Sequence, residues 1–558
     1  MKTIRLRTAN SAIRVIAAVV AALAALVSSA AAAAENRPAN EIEKTEQLIS
    51  SAWKIQEKFR NDPHRPRYHF VPPMAWMNDI NGAIFWKGRY HIFYQHNPEG
   101  GYWKWMQWGH ASSVDLVNWV HHPIALTPDV NGPDRKGCFS GGAFVNKEGV
   151  PTFVYHGVPD GMCLATADDD LLLHWTKHPA NPVIKVPKQG QPGYGVYNVY
   201  DPTAWIYNGA YYAVNGNLQF LKNFGRQMKP GDAGDTVYLF KSSDMAHWEY
   251  VGPFYKSDRR WTEADEDNAV PDFFRLGDKW MMLFTSHLQG TQYYLGRLER
   301  SGERFVPEIY ARMSWPGGAL GGGRTLLDAT GRRIFFDWIR EFRTKQWERE
   351  SGWSGAMTLP RILSLTKDGT LAIEPVPEIE VLRFNHRKRE KIKLGRDSEL
   401  KLDDVRGDCL ELATEIEPGD AKEFGVKVRC SPDGAEQTAV VYEPAAKTLK
   451  IDMSKSTLDE RIAYIYYRHR GALDRLPEEK RIVKAQEAPF ELRRGETLKL
   501  RIFLDRSVLE VFANGRQCIT QRIYPTRSDS VGVMLFSRGG GVNVRSVEAW
   551  DMAPANSY

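Results

Sequence analysis

The sequence predicts an all-β protein, a five-bladed β-propeller followed by a C-terminal β-sandwich. From residue 68 onward, short runs rich in Trp, Tyr, Phe and Val alternate with turns of Gly, Asn, Asp and Pro. This pattern is typical of strands and hairpins. One hairpin motif recurs five times in the first part of this region, and an alternating strand pattern then continues to residue 552.

The recurring hairpins read AIFWKGRYHIFY, AFVNKEGVPTFVY, AWIYNGAYYAV, FFRLGDKWMMLF and LLDATGRRIFF. Their turn glycines are 54 to 68 residues apart. Five units of this kind predict five propeller blades over residues 66–385, because a ring of blades protects the edges of its sheets. In three units an acid precedes a Trp by four or five residues, at Asp115, Asp170 and Asp244. We expect these pairs to form blade corners with a buried ring.

The N-terminal residues predict export and then a helix. Residues 1–34 have four basic residues, no acid, 13 consecutive apolar residues (15–27) and an Ala-rich end. This is the pattern of a cleaved secretory signal, and the apolar run is too short for a membrane anchor. We therefore expect a secreted or periplasmic protein with no membrane span after cleavage. In segment 35–65, apolar spacing predicts a helix over 41–60 that ends near Asp62-Pro63.

Composition narrows the function classes. The chain is 42% apolar and 25% charged, as in ordinary globular proteins. Its net charge is +6, but four of the positive charges lie in residues 1–34. The nearly neutral body disfavours nucleic acid as a partner. The five cysteines are too scattered for a disulfide framework or a zinc site, and no phosphate-binding glycine loop precedes a helix. We assign no metal and no cofactor.

The second domain is expected over residues 394–552, after a basic, turn-like boundary at 384–393. The run ETLKLRIFLDRSVLEVFANGRQCITQRIY alternates apolar and polar residues around an Asn514-Gly515 turn. This favours an antiparallel sandwich. The charged segment 459–483 is either an insertion bordering the active site or a surface excursion.

The innermost strand of each blade lines the channel of a propeller, so the chemistry should lie just before each hairpin. Counting back eight or nine residues from the turn glycines gives Asp79, Ser140, Asp201, Ala269 and Gly323. Two carboxylates at a sugar-sized cleft suit glycoside hydrolysis. Aromatic faces stack on sugar rings, and the aromatic residues expected nearby are Trp76, Trp103, Trp105, Trp108, Tyr197 and Trp205.

Several motifs carry a family resemblance. The segment WMNDING at 76–82 resembles the WMNDPNG motif of glycoside hydrolase family 32, the β-fructosidases that include invertases, inulinases and levanases. Further matches are FYQHNP at 93–98, WGHA at 108–111, FSG at 139–141, Asp201-Pro202, GWSGA at 352–356 and LDRSVLEVF at 504–512. The resemblance covers roughly residues 66–552. It implies a retaining enzyme that cleaves β-fructofuranosidic bonds in sucrose-like sugars or fructans.

The resemblance also implies roles for individual residues. Asp79 is the expected nucleophile that forms a fructosyl-enzyme intermediate. Asp201 is expected to bind sugar hydroxyls and stabilise the oxocarbenium-like transition state. The expected substrate-binding residues are Asn78, Gln95, Trp103, Phe139 and Ser140. The expected partner is a carbohydrate.

Two departures from the family pattern matter. The Arg that precedes the second Asp in the family is Tyr200 here, and the acid/base Glu of the family's Glu-Cys-Pro-Asp motif is Ala269. A retaining mechanism needs an acid to protonate the leaving group. We hypothesise that Asp267 is a relocated acid/base, or Glu266 if the strand bulges, while a solvated acidic loop is the structural alternative. Asp272 is expected to anchor backbone or a sugar hydroxyl.

Two other functions fit the same residues. A fructosyltransferase would use the same chemistry but pass the fructosyl group to a sugar instead of water. A catalytically degenerate glycan-binding protein would keep Asp79 for binding alone. Retention of Asp79 with Asp201 favours an enzyme, whereas Tyr200 and Ala269 favour divergence in substrate or loss of activity.

Overall fold

A computed structural model of the chain describes residues 39–217, 234–262, 266–465 and 482–556. The predicted signal segment 1–34, the acidic residues of 263–265 and most of the charged segment 459–483 lie outside these ranges. Across the described ranges, the structure contains no helix that is both long and apolar enough to cross a membrane.

The chain divides into two compact units at residues 62 and 63. The first contains helix α1, Ala39–Asn61. The predicted helix over 41–60 is therefore confirmed. It ends just before Asp62-Pro63, because a proline disfavours helical conformation in the residue that precedes it.

Four antiparallel strands form each of the first two blades in the second unit. Blade one contains β1 Ala75–Trp86, β2 Arg89–Asn97, β3 Gln107–Ser113 and β4 Val120–Leu126. Blade two contains β5 Gly137–Val145, β6 Pro151–Val158, β7 Gly161–Ala167 and β8 Trp175–Lys177. A short strand, β9 Ile184–Lys185, adds to blade two by pairing with β7.

Blades three and four repeat this arrangement. Blade three contains β10 Thr203–Tyr207, β11 Ala210–Asn215, β12 Thr236–Ser242 and β13 Glu249–Lys256. Blade four contains β14 Ala269–Leu276, β15 Lys279–Ser286, β16 Gly290–Leu298 and β17 Phe305–Arg312.

Blade five is interrupted by a short excursion between its second and third strands. In chain order this region contains β18 Arg324–Leu327, β19 Arg333–Phe336, β20 Trp338–Ile339, α2 Lys345–Ser351, β21 Trp353–Ser354, β22 Ala356–Met357, β23 Arg361–Leu365 and β24 Leu371–Pro375. Strands β18, β19, β23 and β24 form the blade, and β20 pairs with β22. Thr344 caps the start of α2 by accepting a hydrogen bond from the backbone of Trp347.

The five innermost strands form a closed ring. Strands β1, β5, β10, β14 and β18 contact one another in that cyclic order, and β18 contacts β1 again. Strand β21 also pairs in parallel with β1, aligning Ala75 with Trp353. The five-bladed propeller predicted from the hairpin repeat is therefore confirmed.

The blade corners follow the acid-to-Trp pattern with one correction. Asp115 and Asp244 each accept hydrogen bonds from backbone N–H groups two and three residues ahead. In blade two Asp169 makes this turn. The prediction of Asp170 was wrong, because that side chain is exposed beside Lys87 instead.

The C-terminal domain is a sandwich of two six-stranded antiparallel sheets that follows a 3₁₀-helix at Pro377–Leu382. Its strands are β25 Arg383–Leu394, β26 Ser398–Arg406, β27 Cys409–Glu417, β28 Glu423–Cys430, β29 Gln437–Glu443, β30 Thr448–Lys455, β31 Ala485–Pro489, β32 Leu498–Asp505, β33 Val508–Ala513, β34 Gln517–Arg522, β35 Gly532–Arg538 and β36 Val542–Met552. One sheet has the order β25-β36-β27-β32-β33-β34, and the other β26-β35-β28-β29-β30-β31.

Residues 384–393 are not the turn-like boundary that the sequence suggested. They belong to strand β25, which pairs with β36 at the edge of its sheet. Its basic residues form ion pairs across that edge, including Arg387 with Asp551 at 2.7 Å. Charged side chains on an edge strand discourage pairing with another chain. The sandwich therefore begins at Arg383 and not at residue 394.

A buried charge network joins the propeller to the sandwich. His69, ahead of β1, contacts Asp505 through Nδ1 at 2.9 Å and Glu510 through Nε2 at 3.5 Å. Arg361 of β23 pairs with the same Glu510 at 3.0 Å. All four side chains are fully buried. With His69 protonated the network contains two positive and two negative charges, so no buried charge is left unbalanced.

Candidate active site

β-Bulges lie at the ends of three innermost strands, where the predicted channel residues are found. The pairing of β1 with β2 is irregular between Met77 and Ile80, which includes Asp79. The pairing of β5 with β6 is irregular between Cys138 and Gly141, which includes Ser140. Strand β14 shows the same feature just after Ala269. Bulges redirect side chains out of the regular alternation of a strand and are common beside active sites.

Asp79 is held on two sides. Ser140 Oγ donates a hydrogen bond of 2.7 Å to Asp79 Oδ2. On the other side Gly322 lies so close that a Cβ atom built there would be 2.2 Å from Asp79 Oδ1. The backbone N–H of Gly322 in turn donates to Thr285 Oγ1 at 2.8 Å. Residues from blades one, two, four and five thus meet around this carboxylate.

Asp201 lies directly before β10 with a left-handed backbone, φ 44°. Non-glycine residues in that conformation are strained and cluster at functional sites. Within the described part of the chain, its buried Oδ1 atom has no hydrogen-bond partner. Burial raises the pKa of Asp201 well above its ordinary value, the negative charges of Asp79 and Asp267 raise it further, and Arg324 opposes this rise. The two predicted carboxylates therefore share one electrostatic site.

Arg324 supplies a buried positive charge to this site. Its side chain is only 2% exposed. Nη2 donates to the carbonyl of Pro202 at 3.3 Å, and Nη1 donates to the carbonyl of Pro271. These prolines follow Asp201 and Val270 in the chain. Arg324 thus ties together the start of blade three and the start of blade four.

Asp272 anchors the backbone, which is one of the two roles expected for it. Its Oδ2 accepts from both the backbone N–H and the Oγ1 of Thr325, each at 2.8 Å. Because Thr325 follows Arg324 in β18, this contact fixes the strand that carries the buried guanidinium.

The two departures from the family pattern are neighbours in space. Tyr200 and Ala269 belong to one buried apolar cluster that also contains Phe139. Ala269 is 1% exposed. Tyr200 and Ala269 therefore contribute apolar packing at the two positions where the family has a cation and a proton donor.

Glu266 does not face the channel. Its Oε1 accepts from the backbone N–H groups of Asp267 and Asn268, and its Oε2 accepts from Gln292 Nε2 at 2.9 Å. Burial, together with the charges of Asp267 and Asp235, raises the pKa of Glu266 to about 8. The carboxyl group of Glu266 is thus held in the packing of blade four.

Asp267 lies closer to the paired aspartates, and its charge acts on Asp201. It is 1% exposed and not a solvated loop residue. Its Oδ2 contacts His287 Nδ1 at 2.5 Å, and its Oδ1 accepts from the His287 backbone N–H at 3.1 Å. The sequence did not predict this histidine partner. Because Asn268 has a left-handed φ of 42°, the simple strand alternation that suggested Asp267 does not extend past it.

The substrate-binding residues predicted in blades one and two lie around Phe139. Gln95 Nε2 donates to the carbonyl of Cys138 at 3.0 Å. Trp103 is 51% exposed and contacts the Phe139 ring edge-on at 5.8 Å. Trp76 Nε1 donates a hydrogen bond of 2.7 Å to Asn78 Oδ1. Trp103 is thus an exposed aromatic surface beside a buried polar pocket.

Some aromatic residues expected near the pocket serve the core instead. Trp108 is fully buried in the packing between blades one and two. Trp205 packs among aromatic rings of blades three and four, including Phe273 at 5.1 Å. Tyr197 packs against Phe240 at 5.0 Å. Of the other three predicted aromatics, Trp103 and Trp105 are about half exposed and Trp76 is half-buried.

Sequence reasoning missed three further residues of this site, Arg324, His287 and His156. His156 contacts the rings of Tyr200 at 5.4 Å and Phe139 at 5.8 Å, and burial lowers its pKa to about 3. Arg324 directly follows Gly323, a counted channel position, and that adjacency was the available signal. The described residues contain no group of His, Cys, Asp or Glu arranged to hold a metal ion.

Paired aspartates at the channel of a five-bladed propeller, joined to a β-sandwich, define a glycoside hydrolase. Family models agree with this fold and site: residues 69–375 match the N-terminal domain of glycosyl hydrolases family 32, and residues 378–551 match the C-terminal domain of that family. The chain therefore belongs to glycosyl hydrolase family 32. It is a β-fructofuranosidase-like glycosidase.

Individual relatives agree with the family. The chain is 30% identical to a levanase from Bacillus subtilis, with 90% of this chain and 72% of that protein covered. It is also 30% identical to a sucrose-6-phosphate hydrolase from Escherichia coli, with 88% and 95% covered. The crystal structure of fructan 1-exohydrolase IIa from Cichorium intybus superposes with a TM-score of 0.76 at 26% identity, covering 89% of this chain and 98% of that one. A variant of that enzyme with one substitution has been solved in complex with 1-kestose.

Proposed function

We propose that this protein hydrolyses β-fructofuranosidic bonds in sucrose-like sugars or fructans by a retaining double displacement. The observation that carries the proposal is the carboxylate pair: among the described residues the buried Oδ1 of Asp201 has no hydrogen-bond partner, and the charge of Asp79 acts on Asp201. Buried polar atoms in native proteins are almost always hydrogen-bonded. An unpaired carboxylate oxygen in the channel therefore fits a sugar hydroxyl as its partner.

Asp79 is the nucleophile in this proposal. It is oriented by Ser140 and by the close approach of Gly322, so its carboxylate has little freedom to turn. Attack on the anomeric carbon of the fructosyl unit forms an ester and expels the rest of the sugar. Asp201 binds hydroxyls of the same unit and stabilises positive charge as it develops on the ring. Water then hydrolyses the ester and regenerates Asp79.

Arg324 supplies the positive charge that a site with two carboxylates requires. Two carboxylates at one site cannot both be ionised without a compensating charge. The charge of Arg324 lowers the pKa of Asp201 against the combined effects of burial and Asp79. A guanidinium from blade five thus takes over the electrostatic task for which the family uses the residue at the position of Tyr200.

The substrate class follows from the family, and an exposed aromatic ring beside the site is consistent with it. The relatives are named for levan and for sucrose 6-phosphate, both fructosyl compounds. Trp103 offers an exposed aromatic face on which a sugar ring beyond the cleaved bond can stack.

Fructose release tests the proposal. Residues 35–558 are incubated with sucrose, inulin and levan, and free fructose is assayed. The wild-type protein is expected to release fructose from at least one of these sugars, and Asp79→Asn is expected to release none. Asp170→Asn is the matched control, because Asp170 is an exposed aspartate on a blade corner and its loss is expected to change nothing.

A second candidate, a glycan-binding protein, has one observation in its favour. Tyr200 and Ala269 pack together in an apolar cluster where the family has charged catalytic groups. If no sugar yields fructose while calorimetry detects binding of a fructan, and Asp79→Asn weakens that binding, the binding function replaces hydrolysis.

We infer export of the protein from its first residues. The basic start, the 13-residue apolar run and the Ala-rich end together motivate this proposal. Expression in a bacterial host followed by N-terminal sequencing tests it. Recovery of a protein that begins near residue 35 from the medium or periplasm supports export, and an uncleaved protein in the cytoplasm contradicts it.

A further inference from the structure

The contact between Asp267 and His287 lies beside the position of the missing acid. Strands β14 and β15 pair Ala269 with Thr285. Asp267 is two residues before Ala269 and His287 is two residues after Thr285, so the antiparallel register brings them opposite each other. Their side chains meet at 2.5 Å, and the Asp267 carboxylate also accepts the backbone N–H of His287. The pair thus borders the position at which the family has its proton donor.

Asp267 and His287 differ in solvent exposure. The side chain of Asp267 is 1% exposed, whereas that of His287 is 25% exposed. Both carboxylate oxygens of Asp267 are occupied by His287. A buried carboxylate whose oxygens both accept hydrogen bonds is poorly placed to protonate a sugar. The imidazole, by contrast, is partly exposed, and Asp267 contacts its Nδ1.

The His287 ring lies on the side of blade four that meets Tyr200, the residue before Asp201. Its ring lies 6.3 Å from that of Tyr200, with an interplanar angle of 26°. Tyr200 precedes Asp201 and packs in the same cluster as Ala269. Thr285, two residues before His287, bonds to Gly322, which abuts Asp79. The end of β15 is therefore connected to both aspartates.

We propose that His287 is the acid/base of this enzyme and that Asp267 is its positioning residue. This inference rests on the proposed function, because it assigns the proton transfer which that reaction requires. Asp267 keeps the imidazole in one orientation and stabilises its protonated form, and His287 contacts the substrate.

The proton and electron pairs balance over the two steps. In the first, an Asp79 oxygen forms a bond to the anomeric carbon. The bond from that carbon to the leaving oxygen breaks, and the oxygen takes the Nε2 proton of His287. In the second, neutral His287 removes a proton from water while the water oxygen bonds to the anomeric carbon. The ester to Asp79 breaks, releasing fructose and restoring protonated His287.

The alternative acid, Glu266, is excluded by its surroundings. Its carboxyl group is tied to Gln292 and to two backbone N–H groups. Gln292 is itself bonded to Tyr310, 2.5 Å away, so the whole group belongs to the interior of blade four. Glu266 has no route to a leaving group without breaking this packing.

Leaving-group dependence tests the inference. Sucrose requires protonation of an alkoxide, whereas an aryl β-fructofuranoside with an acidic phenol does not. His287→Gln is expected to lower the rate of the first step on sucrose by roughly 10²- to 10⁴-fold. The single-turnover release of phenol from the aryl substrate is expected to stay close to wild type. His247→Gln is the matched control, since His247 also pairs with an aspartate but lies exposed on a blade corner.

Azide gives a second readout that a structural role would not produce. Without its base, the fructosyl-enzyme of His287→Gln should accumulate on the aryl substrate. Azide needs no base, so it should restore turnover and yield fructosyl azide. Failure of azide to restore turnover, together with equal losses on both substrates, would contradict the inference.

The pH profile separates the roles of the two residues. Among the described residues, those that face His287 from neighbouring elements are Asp267, at contact distance, and Tyr200, with the Asp201 charge beyond it. The rate on sucrose is expected to fall on the alkaline side as His287 loses its proton. Asp267→Asn should move this fall to lower pH, because a carboxylate favours the imidazolium. His287→Gln should remove it.

The assays distinguish failure of the proposed function from failure of the His287 assignment. If the wild type releases no fructose from any substrate, or Asp79→Asn matches it, the proposed function fails. If the wild type is active, Asp79→Asn is inactive and His287→Gln keeps full activity on sucrose, this inference fails and the hydrolase remains. A second variant, His287→Asn, checks that the loss does not depend on the replacing side chain.

Discussion

Gly322 lies against the carboxylate of Asp79, so close that a Cβ atom at residue 322 would be 2.2 Å from Oδ1. The same residue has φ +93°, a conformation that side chains rarely adopt. The glycine therefore has two functions. It permits the backbone of blade five to approach the nucleophile, and it leaves the carboxylate room to face the cleft.

Gly322→Ala should displace Asp79 and abolish most of the activity. A misplacement of about 1 Å can cost roughly 10²-fold in rate. The matched control is Gly331→Ala, at φ +83° with no atom within 4 Å of the new Cβ. Both variants should lose about 1 kcal/mol of stability from the strained backbone, and Gly322→Ala should lose more because its Cβ clashes with Asp79. Only Gly322→Ala should also lose kcat/KM, and equal kinetic losses in both would contradict this account.

Arg324→Met should move the acidic limb of the pH profile upward. Arg324 lowers the pKa of Asp201, and its removal should raise that pKa further. Because Asp201 must be ionised to stabilise the transition state, activity should then begin at higher pH. Arg333→Met is the control, as a half-buried arginine whose charge also acts near Asp272. An unchanged acidic limb in Arg324→Met would show that Asp201 does not depend on this charge.

Much of the fold was predictable because it is repeated. Five hairpins at near-constant spacing determined both the number of blades and the channel positions that include Asp79, Ser140 and Asp201. Strand β25 was missed because its basic run, RFNHRKREKIKL, has the composition of a loop. Such a sequence forms a strand only because β36 supplies the complementary acids.

The residues of the site were predictable only where they lie within a short sequence motif. Asp79 and Ser140 lie in segments that resemble family motifs, and the structure brings them into contact. Arg324 and His287 lie far from those motifs, and their importance depends on pairing between residues well separated in the chain. The left-handed residues Asp201 and Asn268 also break the alternation on which side-chain direction was predicted. Asp and Asn adopt this conformation more often than other non-glycine residues, but too rarely for the sequence alone to locate it.

The network at the domain interface should make stability depend on pH. Burial lowers the pKa of His69, but hydrogen bonds to Asp505 and Glu510 outweigh burial and the pKa is raised above 6.5. Burial raises the pKa of Asp505, but its bonds to His69 reverse this and the pKa is lowered. Stability from His69 should therefore be complete below pH 6.5 and be lost as pH rises through its raised pKa. Stability from Asp505 should be lost as pH falls below 3.8.

Urea unfolding across this pH range measures the effect. His69→Gln should lose about 3 kcal/mol near pH 6, because removal of one partner leaves buried charges unpaired. His69→Gln should also reduce the loss of unfolding free energy that the wild type shows as the pH rises above 6.5. His247→Gln removes an exposed histidine and should leave the curve unchanged. A His69→Gln curve that parallels the wild type would contradict a charged His69.

Trp103→Ala should weaken substrate binding without altering chemistry. The ring is half exposed at the entrance and contacts Phe139 edge-on. Loss of its face should raise KM several-fold and leave kcat nearly unchanged, because the ring does not contact the reacting atoms. Trp53→Ala, at an exposed tryptophan of α1, is the control. A fall in kcat with unchanged KM would place Trp103 in the catalytic step instead.

The proposed reaction depends on a covalent bond between Asp79 and the fructosyl unit. Mass spectrometry of His287→Gln, quenched during turnover of an aryl β-fructofuranoside, detects this bond. One fructosyl group is expected on the peptide that contains residues 75–86, localised to Asp79 by fragmentation. The adduct should be absent in the double variant with Asp79→Asn. Fructose release without any adduct, or an adduct on a different residue, would contradict the account.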